Sequence, residues 1–334
     1  MKNKLQFLIY TIVLVVFMGA CDKADEGVTP LMRAAKTGDL QAVNRLIQSG
    51  EKIDKSSRYS WTPLMFAARE GHVDIVVALL QAGAKAEHVS DSVSPSSIMA
   101  TRGGYYPTTA LAESIRYGHD EVSHLLIKKV NHIHPIEMIT AAQYDKSNWL
   151  HELVSAGGDP KRTSKLSYYS TVLQAAAASG NLETVKWLVD KHKVDINPKS
   201  NGTDVLEQAV KKDRVEIVKF LLENGADPNA TYPDTTMPTV LITAIKTPYA
   251  EHDKNLAIIE ALVRAGANPE LKPSYSLFGL GVIGERRNAI DIAKAKIDEY
   301  SKYYANENQP EWKKKKLVNL NHRKAILLIL ESKQ

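Results

Sequence analysis

Thr29-Pro30-Leu31-Met32-Arg33-Ala34-Ala35 recurs 33 residues later as Thr62-Pro63-Leu64-Met65-Phe66-Ala67-Ala68. In each copy the threonine hydroxyl can accept a hydrogen bond from the first turn of a helix. The proline that follows presets a helical φ and gives up only an amide that a first turn leaves unpaired. Gly38 and Gly71 stand where these helices must end. Leu40, Val43, Leu46 and Ile47 then return at helical spacing, and Gly50 closes a second helix. The repeating unit is therefore a capped helix, a glycine turn and an amphipathic helix.

The frame continues with drift. Thr109-Ala110-Leu111 leads to Gly118-His119 and Leu125-Leu126, and Met138, Ala141 and Ala142 lead to Leu153-Val154 and Gly157. Thr171 and Leu173 lead to Gly180 and Leu188-Val189, while Leu206 and Ala209 lead to Leu221-Leu222 and Gly225-Ala226-Asp227. Thr239, Leu241 and Ala244 lead to Leu262-Val263 and Gly266-Ala267-Asn268, and Asn288-Ala289-Ile290 opens a last unit that finishes with a helix near Lys324 to Ser332. Eight units result, with caps at 29, 62, 109, 136, 171, 204, 239 and 288. Uneven spacing marks insertions at 87–107, 248–255 and 270–287, and a shortened turn before the fourth unit.

The period of 33 and the T-P-L-x-x-A-A core resemble the ankyrin repeat from about Val28 to the end of the chain. The resemblance implies an all-α solenoid of about eight helix-turn-helix units joined by finger turns. Composition agrees with a folded solenoid: of 334 residues, 44% are apolar, 24% charged and 7% aromatic. Those proportions exclude a collagen, a disordered tail and a multi-span membrane protein. A single cysteine excludes an internal disulfide framework and any zinc site built from several thiolates.

Residues 1–20 read as a signal peptide: Lys2 and Lys4 precede an apolar run from Leu5 to Met18 that is short for a bilayer-crossing helix. Met18-Gly19-Ala20-Cys21 resembles a bacterial lipoprotein box, although methionine stands where leucine is usual. That resemblance implies lipidation at Cys21, a short linker over 21–27, and a repeat domain over 28–334 on the periplasmic side of the envelope. Asp22 resembles a signal for retention in the inner membrane. Loss of residues 1–20 would lower the formal charge from +5 to +3, a near balance that does not predict nucleic-acid binding.

Motifs for chemistry are weak. Gly279-Leu280-Gly281-Val282-Ile283-Gly284 fits a dinucleotide fingerprint as a string, but no βαβ unit surrounds it. His132-Ile133-His134 offers two imidazoles without a third ligand and reads as a connector. Lys313 to Lys316 reads as a solvated helix face. His72 and His119 follow glycine where they support the turn. No enzyme, cofactor or metal is expected.

In the ankyrin family the finger turns and the exposed end of each first helix face the concave binding side. The site seven residues after each cap holds Lys36, Arg69, Arg116, Gln143, Ala178, Lys211, Lys246 and Ala295, and the next position adds Lys212 and Lys296 against Glu70. Such a basic column would steer an acidic protein partner. The fingers carry Tyr59 and Trp61, Tyr105 and Tyr106, Tyr168 and Tyr169, Tyr232, and Tyr275 with Phe278. Rings of that kind are favoured interface anchors. The expected partner-binding set is Lys36, Tyr59, Trp61, Arg69, Tyr105, Tyr106, Arg116, Tyr168, Tyr169, Lys211, Lys212 and Lys246. Reversing Arg69, Arg116 and Lys211 to glutamate is expected to abolish binding and leave the fold intact.

The function these readings support is non-enzymatic: a lipid-anchored envelope protein that binds another protein. Similarity to bacterial ankyrin lipoproteins that act as immunity proteins implies inhibition of a toxin, for example a lipase effector. The alternative is an envelope scaffold or stress-related adaptor that holds an enzyme at the membrane.

Overall fold

The computed structural model describes residues 27–91, 107–164, 169–198, 205–230, 239–246, 252–271, 288–304 and 312–332. Every regular element among them is helical, and the helices come in eight consecutive pairs. These are α1 (Pro30–Thr37) with α2 (Leu40–Gln48), α3 (Pro63–Glu70) with α4 (Val73–Gln81), and α5 (Ala110–Tyr117) with α6 (Asp120–Ile127). Then follow α7 (Pro135–Gln143) with α8 (Ser147–Ser155), α9 (Val172–Ser179) with α10 (Leu182–Lys186), which runs straight on as a π-helical segment over Trp187–Lys191, and α11 (Val205–Lys211) with α12 (Val215–Glu223). The series ends with α13 (Val240–Lys246) and α14 (His252–Arg264), then α15 (Ala289–Tyr304) and α16 (Trp312–Glu331). The all-α repeat architecture is the one the motif spacing predicts. The final helix begins earlier than expected, at Trp312.

Two compact units divide the chain: residues 1–141, 148–159 and 166–168 form the first, and 142–147, 160–165 and 169–334 the second. In the first, the leading helices α1, α3 and α5 pack on one another, and the trailing helices α2, α4 and α6 do the same. The second repeats this plan, with α9, α11, α13 and α15 in one layer and α10, α12, α14 and α16 in the other. Burial follows the T-P-L-x-x-A-A core: Leu31, Met32 and Ala35 in the first repeat and Leu64, Met65, Ala67 and Ala68 in the second have almost no exposed surface. The leading helices α3, α5, α9, α11 and α13 are buried along most of their length by their neighbours and become more exposed at their C-terminal ends.

The caps form as the sequence predicts. Thr29, Thr62, Thr109, Thr171 and Thr239 each accept an N–H bond at 3.0–3.4 Å from the third residue of the helix they open. Gln174 returns the bond at the fifth repeat, its Oε1 accepting from the N–H groups of Ser170 and Thr171. The fourth repeat differs from expectation. Its helix opens at Pro135, so His134 and not Ile136 stands at the cap, and His134 Nδ1 accepts from the Ile136 N–H at 3.2 Å. That shift of two residues makes Ala141, not Gln143, the counterpart of Arg69 and Arg116.

Consecutive repeats are tied at the glycine turns. Gly71 closes α3 at φ +77°, and the next repeat lays His119 against it, Nε2 bonding the Arg69 carbonyl at 2.9 Å. His72 does the same for the Lys36 carbonyl at 3.2 Å beside Gly38. Because a carbonyl only accepts, both Nε2 atoms carry the proton. In the second unit Arg214 takes this place, its Nε donating to the Ala178 carbonyl beside Gly180. There the preceding left-handed position is Asp213, at φ 55°. Asparagine finger residues add a second tie: Asn197 donates to the Gly225 carbonyl and accepts from the Asp227 N–H, and Asn229 repeats this with Gly266 and Asn268.

Candidate functional site: a cationic and aromatic helix-end face

Lys36, Arg69, Arg116, Lys211 and Lys246 all lie in the last turn of a leading helix, where the cation also faces the negative end of the helix dipole. Lys36, Lys212 and Lys246 are exposed, while Arg69, Arg116 and Lys211 are half-buried. The structure gathers Arg69 and Arg116 in the first unit, on the adjacent helices α3 and α5. Lys211, Lys212 and Lys246 belong to the second unit.

The first unit's cations surround aromatic rings. The Arg69 guanidinium lies 5.6 Å from the Trp61 ring centre and 5.1 Å from that of Tyr117, and the Arg116 guanidinium lies 5.9 Å from Tyr117. Trp61 in turn meets Phe66 at 5.1 Å between ring centres. A guanidinium on a ring face at these distances is attracted by the ring's quadrupole, which fixes both side chains. Tyr117 itself is 46% exposed. It sits one place after Arg116, in the same column as Lys212 and Glu70, and the sequence reading passed over it because it looked only for charge there.

Two of the expected anchor rings are not surface rings. Trp61 and Tyr169 are each only 6% exposed. Trp61 turns inward because its finger closes on itself: Ser57 N–H donates to the Trp61 carbonyl and Trp61 N–H donates to the Ser57 hydroxyl. Tyr169 stands beside the corresponding closure between the Ser164 N–H and the Ser170 carbonyl. Tyr59 is half-buried. Cys21, Tyr105, Tyr106, Tyr168, Tyr232, Tyr275, Phe278 and the loop Gly279 to Gly284 lie outside the described residues.

Beneath the cations lie buried carboxylates that the sequence reading did not single out. Glu113 is 2% exposed; its Oε1 accepts from the Thr108 hydroxyl at 2.8 Å and lies 3.6 Å from Arg116. Burial pushes its pKa up, while Arg116, Thr108 and Arg69 pull it back. Glu207 is equally enclosed, with Lys211 Nζ at 3.0 Å and the Thr243 hydroxyl at 3.4 Å. Arg116 and Lys211 are therefore counter-ions as well as surface charges. Reversing either to glutamate would strand a buried carboxylate, which costs about 3–5 kcal/mol. The expectation that the Arg69, Arg116 and Lys211 reversal spares the fold is corrected on that ground.

Glu137 is the third carboxylate of this kind. Thr109, which caps α5, donates its hydroxyl hydrogen to Glu137 Oε1 at 2.6 Å, tying the third repeat to the fourth, while Oε2 is buried without a partner. Burial pushes its pKa up to about 7, against the smaller opposing effect of the Thr109 bond.

Among the described residues no three histidine, cysteine or acidic side chains converge as a metal site, and no helix is long and apolar enough to cross a membrane. What the face can do chemically is hold an anionic or aromatic group from another molecule. Comparison with known proteins agrees with a repeat scaffold. The family profile for ankyrin repeats, in three copies, matches residues 3–90 and 138–232. Alpha-latrocrustotoxin-Lt1a of Latrodectus tredecimguttatus is 31% identical over 102 residues, which are 30% of this chain and 7% of the toxin. Palmitoyltransferase akr1 of Schizosaccharomyces pombe is 45% identical over 56 residues, 16% of this chain and 9% of that protein. The chain thus spans less than a tenth of these curated relatives. The crystal structure of the human ASB11 ankyrin repeat domain aligns over 90% of this chain and 97% of its own, at 19% identity and a TM-score of 0.41. With profile matches over more than half of its length, and with capped helix pairs tied at glycine turns, the chain belongs to the ankyrin-repeat family.

Proposed function

We propose that this ankyrin protein is a non-catalytic binder of one acidic protein, lipid-anchored through Cys21 on the periplasmic side of the envelope. The observation that carries the binding reading is the Arg69, Tyr117 and Arg116 cluster, set at the helix ends that repeats of this family use for partners. The anchor rests on the Met18 to Cys21 box and the apolar run before it. In its finer form the partner is a toxin such as a lipase effector, and the chain is its immunity protein, covering the toxin's working surface.

Lys36→Glu in the first unit with Lys212→Glu and Lys246→Glu in the second together test the exposed helix-end cations of each unit without touching a buried carboxylate. Loss of three surface cations and gain of three anions should weaken association with the purified partner by ~100-fold or more, mostly through the on-rate and its salt dependence. The melting temperature should move by no more than a few degrees, as surface changes usually do. Unchanged affinity would remove the charged-face reading. For the finer form, deletion of the gene should make cells sensitive to kin that deliver the toxin, with Cys21→Ser giving a soluble, unlabelled chain after growth with radioactive palmitate. Equal resistance after deletion would favour a scaffold.

A further inference from the structure

Three leading helices carry a buried glutamate in their first turn, and two of them also supply its counter-ion. Arg116, three residues after Glu113, stands 3.6 Å from it, and Lys211, four residues after Glu207, stands 3.0 Å from it. In the fourth repeat the same two places after Glu137 hold Thr140 and Ala141. Glu137 is only 3% exposed, its Oε2 has no hydrogen-bond partner, and among the described residues no cation faces it. From α5 it meets the Thr109 hydroxyl at 2.6 Å, and from the segment after α4 it meets Glu87, itself beside His132. Its own turn presents His134, whose Nδ1 accepts from the Ile136 N–H and so carries no proton. The Thr109 bond and the Glu137 and His134 N–H groups favour the charged form, but burial outweighs them, and the carboxyl keeps its proton to about pH 7.

The Thr109 to Glu137 bond is also a tie between repeats, since Thr109 caps α5 and Glu137 belongs to the first turn of α7. Both residues lie in the first unit. We propose that this bond is a pH-sensitive latch: with Glu137 neutral the first turn of α7 stays seated against Thr109, and with Glu137 ionised that turn lifts to hydrate the carboxylate while the rest of the stack stays closed. Lifting is local because each repeat contacts only its neighbours, so one turn opens at a lower cost than the whole chain. Below the ordinary value of 4.5 the seated and lifted forms are both protonated. Between 4.5 and about 7 only the lifted form releases its proton, so lifting grows easier as pH rises. Glu207, paired with Lys211 on its own helix, is the built-in comparison. The latch does not depend on what the chain binds.

Hydrogen exchange of the full chain in detergent, corrected for the intrinsic pH dependence of amide exchange, reads the latch directly. Protection at Met138 and Ile139 should fall ~30-fold between pH 5.5 and pH 8, the share of the proton release that this window spans. Protection at Gln208 and Ala209 on α11 should stay level. Thr140→Arg puts a guanidinium where Arg116 stands for Glu113 and should cut the fall on α7 to a few-fold, whereas the uncharged Thr140→Gln should leave it whole. Constant protection of α7 in the wild type, a fall that Thr140→Arg and Thr140→Gln share, or an equal fall on α7 and α11 would each overturn the proposal.

Discussion

Replacing Glu137 with glutamine should remove a pH dependence from the stability of the stack. Buried beside Thr109, the carboxyl holds its proton up to about pH 7 in the folded chain, whereas the unfolded chain releases it near the ordinary value of 4.5. Below pH 4.5 both states are protonated and the group adds no pH-dependent term. As pH rises from 4.5 to 7 only the unfolded state loses its proton, so wild-type stability falls. Above 7 the penalty is complete, at about 3 kcal/mol for a shift of this size. Glutamine has no proton to lose. Its amide will carry a constant cost of about 1–3 kcal/mol because Oε2 has no partner for it to donate to, but that cost is the same at every pH. The stability difference between variant and wild type should therefore move in the variant's favour by about 3 kcal/mol between pH 4.5 and 8, read as urea midpoints at each pH. Parallel pH profiles would show that Glu137 titrates as an ordinary carboxyl.

Gly71→Ala should cost more than Gly50→Ala although both glycines sit near φ +80°. At Gly50 a new Cβ meets nothing within 4 Å, so the substitution carries only the left-handed penalty of about 1–2 kcal/mol. At Gly71 the same Cβ would fall 2.4 Å from His119 Nδ1, forcing the ring off its bond to the Arg69 carbonyl. That adds about 1 kcal/mol for the lost hydrogen bond, before any repacking. In a His119→Ala background the two glycine substitutions should converge. Equal costs in the wild-type background would mean that the ring moves aside freely and does not tie the repeats.

The fold was legible because its signals are local and repeated. A threonine cap, a proline at the first position and a left-handed glycine each act within one turn, and they recur often enough to be recognised despite insertions. The sequence pattern misplaced the fourth cap because His134 does the work through Nδ1, with no threonine to mark it. It also missed Asp213 and Arg214, which replace the glycine and histidine of the tie with a left-handed aspartate and a guanidinium.

The site was legible only in part, for a physical reason. The basic column follows from counting residues after each cap, and the structure places those cations at helix ends. Whether a finger aromatic faces in or out depends on how its turn closes, which is why Trp61 and Tyr169 are buried. Glu113, Glu137 and Glu207 read as ordinary charges within the first turns of helices, yet all three are buried: Glu113 bonds Thr108 of its own repeat, Glu137 the Thr109 cap of the repeat before, and Glu207 both Lys211 on its own helix and Thr243 of the repeat after. Tyr117 carries no charge to mark it in a column otherwise distinguished by Lys212 and Glu70. Spacing can place a side chain on a helix; the adjacent repeat decides what surrounds it.

The proposed partner docks on the first unit at the C-terminal helix ends that carry Arg69, Arg116 and Tyr117. Hydrogen exchange on the full chain, with and without its purified partner, tests this most directly. New protection is expected in the closing turns of α3 and α5, around Arg69 and Tyr117, and in the finger that carries Tyr59 and Trp61. Protection confined to the trailing helices α2, α4 and α6, with α3 and α5 unchanged, would contradict it.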